Sequence, residues 1–260
     1  MVRRARLDAE LVRRGLACSR EQAAELVHAG RVRVGGATAT KPTTAVDPGT
    51  PVLVEADSDD PGYASRGGHK LAGALDALPV PVEGRRVLDA GASTGGFTDV
   101  LLRRGAREVV AVDVGYGQLA WQLRTDPRVS VHDRTNVREL TPEQIGGPVE
   151  LTVADLSFIP LTLVLPALAG CTSEDLLPMV KPQFEVGRER VGAKGVVRDP
   201  QLRAEAIRTV ADRAYELGLG VRGMTRSPLQ GPAGNVEFFL WLRRDAPPVD
   251  PAEIARVVGP

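Results

Sequence analysis

The sequence predicts an α/β protein with a doubly wound, mostly parallel sheet and an antiparallel edge hairpin, preceded by a small basic α+β unit. Beyond residue 80, strand-like and helix-like segments alternate with short connections, which is typical of a parallel sheet. The hairpin is predicted from two closely spaced apolar segments, Val221–Thr225 and Val236–Leu242. The basic unit is predicted from charge: residues 1–41 hold nine Arg and Lys against four acids, and residues 42–62 hold five acids and no base.

These patterns divide the chain into a first domain at residues 1–60, a linker at 61–68 and a second domain at 69–260. The other predicted strands are Arg86–Asp89, Glu108–Asp113, Val129–His132, Leu151–Asp155 and Leu176–Lys181. Helices are predicted near Lys70–Leu78, Gly95–Arg104, Gln118–Thr125, Leu161–Ala169 and Gln201–Leu217.

Composition excludes several classes of protein. Cys18 and Cys171 lie far apart with no metal-ligand spacing, so neither a disulfide nor a metal site is expected, and a reducing cytoplasm is the expected compartment. The longest apolar run, residues 158–170, contains two prolines and is too short to span a bilayer. We therefore expect a monomeric cytoplasmic protein that has no membrane partner.

The sequence of the basic unit predicts two helices followed by short strands. Leu7, Leu11, Val12 and Leu16 share one face of the first helix. The second helix has Ser19 as its predicted N-cap and Gly30 as a left-handed residue after its end. Strands are predicted in RVRV, ATAT and TPVLVEA.

This unit resembles the S4 RNA-binding module. The matching residues are Arg6-Leu7-Asp8, Ser19-Arg20, Ala23, Leu26-Val27, Gly30-Arg31-Val32, Val34-Gly35-Gly36 and Lys41-Pro42. The resemblance implies that RNA is gripped by shape and backbone, and clustered arginines suit phosphate contacts. The predicted RNA-binding residues are Arg4, Arg6, Arg14, Arg20, Arg31, Arg33 and Lys41. A solvated polar face is the alternative.

A glycine-rich turn follows the first strand of the second domain. Dinucleotide-binding enzymes need Gly-x-Gly-x-x-Gly there, because the middle glycine lets pyrophosphate approach the backbone. Counted from Gly91, the middle position is Ser93, and only the third position, Gly96, fits. The turn therefore predicts an adenosine ligand without phosphate; a turn that binds no ligand is the alternative.

The rest of an adenosine site follows the next two strands. Asp113 ends the second strand, where a carboxylate can accept both ribose hydroxyls, and Asp133 and Asn136 follow the third strand near the adenine edge. We therefore predict S-adenosylmethionine as cofactor and a Rossmann-like, class I S-adenosylmethionine-dependent methyltransferase fold. The predicted cofactor-binding residues are Asp89, Gly91, Ser93, Thr94, Gly95, Gly96, Phe97, Asp113, Asp133, Asn136 and Asp155.

Four ionisable side chains are predicted at or beside the carboxyl ends of the strands, where parallel sheets place their active sites. They are Lys70, Asp155, Lys181 and Glu237. A ribose 2′-hydroxyl is a poor nucleophile that must lose its proton as it attacks a methyl group, and two lysines with two acids suit that need. We expect Lys181 to accept the proton, Lys70 to stabilise the alkoxide, and the carboxylates to orient the lysines and support the sulfonium.

Other methyl transfers fit less well. Transfer to cytosine C5 needs a cysteine nucleophile, yet Cys18 lies in the basic unit and Cys171 precedes a strand. Transfer to an exocyclic amine favours Pro-Pro-aromatic after the fourth strand, where this chain has Asp155-Leu156-Ser157-Phe158.

The segments SRGGHKL, LDAGASTGGFTD, VDVGYGQL, RTNVREL, ADLSFI, VKPQFE, AKGVVRDP and GNVEFF span nearly the whole chain together with the S4-like start. In them the sequence resembles the TlyA family of S4-bearing, hemolysin-named ribosomal RNA 2′-O-methyltransferases, with a methyl-transfer domain of the FtsJ (RrmJ) type. The resemblance implies that the two lysines and two acids are the family's catalytic tetrad. It also implies cytidine substrates in 16S and/or 23S rRNA within ribosomal subunits, and an effect on sensitivity to ribosome-targeting peptide antibiotics.

Two other functions are weighed against this one. A non-catalytic S4-type RNA-binding protein would have the four ionisable residues scattered in the fold. A hemolysin-like membrane-active protein is disfavoured, because the sequence has no spanning segment and no long amphipathic helix. The loop after Lys181 carries Arg188, Arg190, Lys194 and Arg198, and we interpret it equally as an RNA-facing or a solvated loop.

Overall fold

The computed structural model describes residues 4–17, 20–55, 61–192 and 195–259. The chain divides into two units, Met1–Arg66 and Gly67–Pro260. This division falls within the segment predicted as the linker.

The first unit packs two helices on short antiparallel strands. The helices are α1 (Leu7–Arg13) and α2 (Arg20–His28), and the strands are β1 (Ala5–Arg6), β2 (Val32–Val34), β3 (Ala37–Thr38), β4 (Ala45–Val46) and β5 (Val52–Val54). Strand β2 pairs with β3 and β5, and β1 pairs with β4. Leu7, Leu11, Ala23, Val27 and Val32 form the centre of its core.

The first helix is shorter than predicted. Gly15 adopts a left-handed conformation with φ of 69°, so Leu16 lies beyond the helix and its placement on the helical face was wrong. Leu16 still packs against the same core, because its backbone N–H donates to Leu11 O at 2.9 Å and turns the chain back. Gly30 has the predicted left-handed conformation, with φ of 72°. The predicted N-cap, Ser19, lies outside the described residues.

In the second unit, seven strands of the described chain form one sheet in the order β11-β12-β10-β9-β6-β7-β8. Their bounds are β6 (Arg86–Ala90), β7 (Glu108–Val112), β8 (Val129–His132), β9 (Val149–Ala154), β10 (Thr172–Val180), β11 (Gly220–Arg226) and β12 (Phe238–Arg243). Strands β6 to β10 are parallel, and β12 runs antiparallel between β10 and β11. This confirms the mostly parallel sheet and its antiparallel edge hairpin.

Helices cover both faces of this sheet. They are α3 (Gly67–Ala77), α4 (Gly96–Arg103), α5 (Trp121–Arg124), α6 (Leu161–Cys171), α7 (Pro182–Glu185), α8 (Pro200–Glu216) and α9 (Pro251–Val258). Helix α3 packs on α4, whereas α6 and α9 both pack on α8. Successive strand residues face opposite helical layers: Phe238 lies in the core with α6, α8 and α9, and Phe239 meets Phe97 of α4 at 6.0 Å.

Helix α5 begins three residues later than predicted. Ala120 N–H donates to Thr94 O at 3.2 Å, which ties residues just before the helix to the glycine-rich turn. Helices α7 and α9 and the β1–β4 pair were not predicted. Over the described ranges, no helix combines the length and apolar character needed to cross a membrane.

Candidate active site

The register of the strands sets the order of the predicted site residues along one edge of the sheet, which we call the rim. Ladder pairs join Val180 to Phe238, Pro178 to Ala154, Ala154 to Ala90 and Ala90 to Val112. At this edge Glu237 directly precedes β12. The residues that directly follow β10, β9, β6 and β7 are, in that order, Lys181, Asp155, Gly91 and Asp113. Strands β7 and β8 lie on one side of β6 and β9 lies on the other, so the strand order reverses at β6, and such switch points open the crevice that binds ligands.

Lys181 is held by two side chains from the loop that follows β9. Its Nζ lies 2.6 Å from Asp155 Oδ1 and donates a hydrogen bond of 2.8 Å to Ser157 Oγ. The Asp155 contact lies outside hydrogen-bond angles, so charge holds this pair. The side chain of Lys181 is 9% exposed and that of Asp155 is 22% exposed.

Lys70 forms the other ion pair. It lies in the first turns of α3, and its Nζ donates to Glu237 Oε2 at 2.6 Å. Both side chains are almost fully buried. A buried pair is stable only when each charge keeps its partner, so this contact fixes the position of both groups.

Residues 227–235 wrap around Glu237. Ser227 N–H donates to Glu237 O at 2.8 Å, and a Cβ at Gly231 would lie 2.6 Å from Glu237 Oε1, so a larger residue there would displace the Glu237 carboxylate. The buried Asn235 accepts from Val197 N–H at 2.9 Å and donates from Nδ2 to Gly195 O at 2.8 Å. Asn235 thus ties the end of the loop after Lys181 to the segment that carries Glu237.

The glycine-rich turn packs tightly against its neighbours. Gly91 has φ of 88°, and a Cβ there would lie 2.6 Å from Asp155 O. Gly95 has φ of 97°, and its Cβ would lie 2.8 Å from Leu119 Cδ1 and would clash with Leu123. These two positions therefore require glycine for both conformation and space.

Asp113 closes the turn from the second strand. Its carboxylate accepts from Ser93 N–H at 2.8 Å and from Gly115 N–H at 2.7 Å. A carboxylate has about four acceptor sites, so two backbone donors leave room for two hydroxyls. Gly96 begins α4, and the ring of Phe97 lies in the core, which leaves the backbone of Phe97 for ligand contact.

Asp89 lies fully buried beneath the turn. Its Oδ2 accepts from Thr98 Oγ1 at 2.7 Å, and its Oδ1 has no hydrogen-bond partner among the described residues. Burial raises the pKa of Asp89 to about 7 despite the Thr98 hydrogen bond, and the charges of Asp155 and Asp113 raise it further. An unpaired carboxylate here favours a cationic ligand group.

The two residues predicted at the adenine edge already have partners. Asp133 pairs with Arg124 at 2.9 Å, which lowers the pKa of Asp133, and it also accepts from Gly117 N–H at 3.2 Å. Asn136 Oδ1 accepts from Arg138 N–H at 3.1 Å and caps the short helix Val137–Glu139. Their role in adenine binding stays a prediction.

A groove of about 610 Å³ opens between the loop that follows β9 and the segment that follows Lys181 in the chain. Its walls include Phe158, Gln183, Phe184 and Arg188. Phe158 is 91% exposed, and its ring meets that of Phe184 at 5.4 Å and 51°. Phe158 has φ of 66°, a left-handed conformation that a bulky residue seldom adopts and that occurs mostly at functional sites.

Glu185 ends α7 behind this groove. Its Oε1 accepts from Leu161 N–H at 2.8 Å at the start of α6. Burial raises the pKa of Glu185 to about 7, although this hydrogen bond lowers it. Between about pH 4.5 and 7, Glu185 is therefore largely protonated although an exposed glutamate would be charged.

The predicted RNA-binding arginines of the first unit have internal partners. Arg4 pairs with Asp47, Arg33 pairs with Glu55, and Arg6 and Arg20 both pair with Asp8. The hydrogen bond from Arg6 and the contact with Arg20 hold the pKa of Asp8 well below its usual range. Arg14 has more internal contacts than these residues, since it pairs with Glu10 and donates to Pro48 O and Thr50 O.

Sequence reasoning placed all four ionisable residues at one rim but missed Ser157, Asn235 and Glu185. Ser157 stands in ADLSFI, where only the three-dimensional turn at Phe158 brings its hydroxyl to Lys181. The loop residues Arg188 and Arg198 are exposed and Arg190 pairs with Glu205, whereas Lys194 lies outside the described residues. Within the described ranges, no three His, Cys, Asp or Glu side chains form a group that could hold a metal ion.

The strand order of the sheet and the glycine-rich turn, beside two lysines that are each paired with a carboxylate, define a class I methyltransferase fold. The model of the FtsJ-like methyltransferase family matches residues 63–244, and that of the S4 domain matches residues 5–52. A "16S/23S rRNA (cytidine-2'-O)-methyltransferase TlyA" from Mycobacterium tuberculosis is 65% identical over 94% of this chain and 91% of its own length. The chain therefore belongs to the TlyA group of the FtsJ-like methyltransferase family.

Two further proteins are similar in sequence along nearly the whole chain. The Bacillus subtilis "Putative rRNA methyltransferase YqxC" is 43% identical, over 97% of this chain and 92% of its own. The solved structure "Putative hemolysin from Streptococcus thermophilus" is 40% identical with a TM-score of 0.80, and the match covers 99% of this chain and 95% of that one.

Proposed function

We propose that this protein transfers a methyl group from S-adenosylmethionine to the ribose 2′-hydroxyl of cytidine in 16S and 23S rRNA. The observation that carries the proposal is the pair of lysine–carboxylate contacts, Lys181–Asp155 and Lys70–Glu237, at the rim beside the glycine-rich turn. The substrate is inferred from the M. tuberculosis relative, whose name states both rRNAs and the 2′-O position. The protein described here acts as a monomer in the cytoplasm, where ribosomal subunits are found.

The residues at the turn fit the cofactor. Asp113 would accept the ribose hydroxyls, backbone N–H groups of residues 96 and 97 at the start of α4 would hold the carboxylate of the amino-acid tail, and the carboxylate of Asp89 suits its ammonium group. The tight approaches at Gly91 and Gly95 shape the cradle. When bound, S-adenosylmethionine supplies a methyl group activated by a sulfonium.

The two lysines act on the ribose oxygen. Lys181 Nζ accepts the proton of the 2′-hydroxyl as that oxygen attacks the methyl group. Lys70, held against Glu237, stabilises the negative charge that develops on the oxygen. Asp155 and Glu237 hold the two nitrogens in place, so little reorganisation is needed during the reaction.

The groove supports an RNA substrate presented as an unpaired nucleotide. A base of that nucleotide would stack on the exposed Phe158, and the Gln183 amide offers hydrogen bonds to a base edge. Arg188 lies on the groove wall, where it can meet a phosphate. The S4 unit adds phosphate contacts from its exposed arginines. We propose that Arg4, Arg20 and Arg33 contribute more to RNA binding than Arg14, whose side chain is more buried.

The test is transfer of tritiated methyl groups from S-adenosylmethionine to purified 30S and 50S subunits, followed by mapping of alkali-resistant linkages. Expected is label at cytidine 2′-O positions with the wild type and none with Lys181→Ala. Label on a base would refute the 2′-O assignment. RNA binding with no label would favour the non-catalytic alternative, and leakage of liposomes by nucleic-acid-free protein would favour the membrane-active one.

A further inference from the structure

Lys181 differs from Lys70 in having a hydroxyl that leads to solvent. Its Nζ donates to Ser157 Oγ at 2.8 Å, and Ser157 is exposed whereas the lysine is buried. Among the described residues, the hydrogen bond of Lys70 Nζ goes to Glu237, which is itself buried. The hydrogen bond to Ser157 therefore links a buried ammonium group to a residue at the surface.

The position of Ser157 is fixed by contacts on both sides of it. Asp155 pairs with Lys181 two residues earlier, and Phe158 meets Phe184 one residue later. Leu161 N–H then donates to Glu185. The loop after β9 is thus tied to the segment after β10 at successive points, and the left-handed turn at Phe158 directs the chain between them. A hydroxyl held in this way is preorganised for proton transfer.

We propose that Ser157 relays protons between Lys181 and solvent. The inference rests on the proposed function, in which the oxygen–methyl bond forms, the sulfur–methyl bond breaks and the 2′-hydroxyl proton moves to Lys181 Nζ. Lys181 must then lose that proton before the next turnover. It passes one proton to Ser157 Oγ while the Ser157 hydroxyl releases its own proton to water, which restores both groups with no net change in Ser157.

Asp155 is less suited to this task. It is an anion that keeps the ammonium in place, and a proton moved onto it would remove that charge and stay on a side chain that is 22% exposed. A serine hydroxyl donates and accepts at once, so it can release one proton as it takes up another. Ser157 acts through Lys181 and need not touch the RNA.

The test compares full-length Ser157→Ala and Ser157→Thr with the wild type on ribosomal subunits. We expect Ser157→Ala to lower kcat about ten- to a hundredfold with KM for RNA and cofactor unchanged, because a positioned proton-transfer group contributes at least that much. Adding imidazole, which can carry protons in place of the hydroxyl, should restore kcat of Ser157→Ala and leave the wild type unaffected. Ser157→Thr keeps a hydroxyl and should stay within about twofold of the wild type.

The matched control is Ser173→Ala, an exposed serine at the opposite end of β10 whose hydroxyl donates to Val149 O. It should leave kcat unchanged with and without imidazole. The relay is wrong if Ser157→Ala retains full kcat, if its loss appears in KM, or if imidazole does not restore it. The wild type in the same assay separates the two ideas: an inactive wild type overturns the proposed function and the relay together, whereas an active wild type matched by Ser157→Ala overturns the relay alone.

Discussion

The two lysine–carboxylate pairs of the rim look alike in distance but differ in surroundings. Both have 2.6 Å between nitrogen and oxygen. The Lys70–Glu237 pair is closed off, with side chains 8% and 2% exposed, whereas Lys181 faces a carboxylate that is 22% exposed and an exposed hydroxyl. The Lys70–Glu237 contact is therefore the closed pair and the Lys181–Asp155 contact the open one. A charge in the closed pair is costly to leave without its partner.

The largest effect is expected from Lys181→Ala. Removing the proton acceptor should lower kcat by about 100- to 10,000-fold, the contribution typical of general base catalysis. Cofactor and RNA affinities should stay close to those of the wild type, as measured by calorimetry and filter binding. Retained kcat would show that the open pair is not the site of proton transfer.

Lys70→Met should act on stability as well as on activity. It leaves Glu237 buried without its cation, which is expected to lower the free energy of unfolding by about 3–5 kcal/mol in urea titrations. The double variant Lys70→Met/Glu237→Gln should regain most of that stability but not the activity. Lys181→Met should cost less stability, because Asp155 reaches solvent; an equal cost would erase the contrast between the pairs.

Glu185 shows what a buried carboxyl does without a lysine. Its pKa is about 7 in the folded protein, against an ordinary value near 4.5, so folding favours the protonated form. The stability that this contributes is present below about pH 4.5 and is lost as pH rises through about 7. Glu185→Gln, which mimics the protonated form, should match the wild type near pH 4 and exceed its stability by up to about 3 kcal/mol near pH 8.

Urea unfolding of both proteins at the two pH values measures this difference. The control is Glu139→Gln, the same replacement at an exposed glutamate. A difference for Glu185→Gln that stays constant between the two values would mean that Glu185 titrates as in the unfolded chain.

The smallest effect concerns Asp89, the buried carboxyl beneath the glycine-rich turn. Its pKa of about 7 means that a cationic ligand binds best to the ionised form and expels a proton. Affinity for S-adenosylmethionine should therefore rise about five- to tenfold from pH 6 to pH 7.5, with proton release seen by calorimetry in buffers of different ionisation enthalpy. Asp89→Asn should bind more weakly and lose this pH dependence; an unchanged slope would place the ammonium elsewhere.

Much of this arrangement could be predicted from the sequence, because the signals are local. Strand Val129–His132 was predicted with its observed bounds, and the residues at the strand ends followed from parallel topology. The sequence predicts that the carboxylates orient the lysines, but not which acid pairs with which lysine, since Lys70 and Glu237 lie 167 positions apart. The same holds for Ser157, whose contact depends on a left-handed phenylalanine that no propensity favours.

The place of β12 has a consequence for how this enzyme matures. Strand β12 fills the gap between β10 and β11, and Glu237 directly precedes it. During synthesis, the partner of Lys70 and the strand that joins β10 to β11 therefore emerge only after the other six strands of the described sheet. A modifier of ribosomes built in this way has no complete rim until β12 has been made, and any product cut short before residue 237 lacks the carboxylate that faces Lys70.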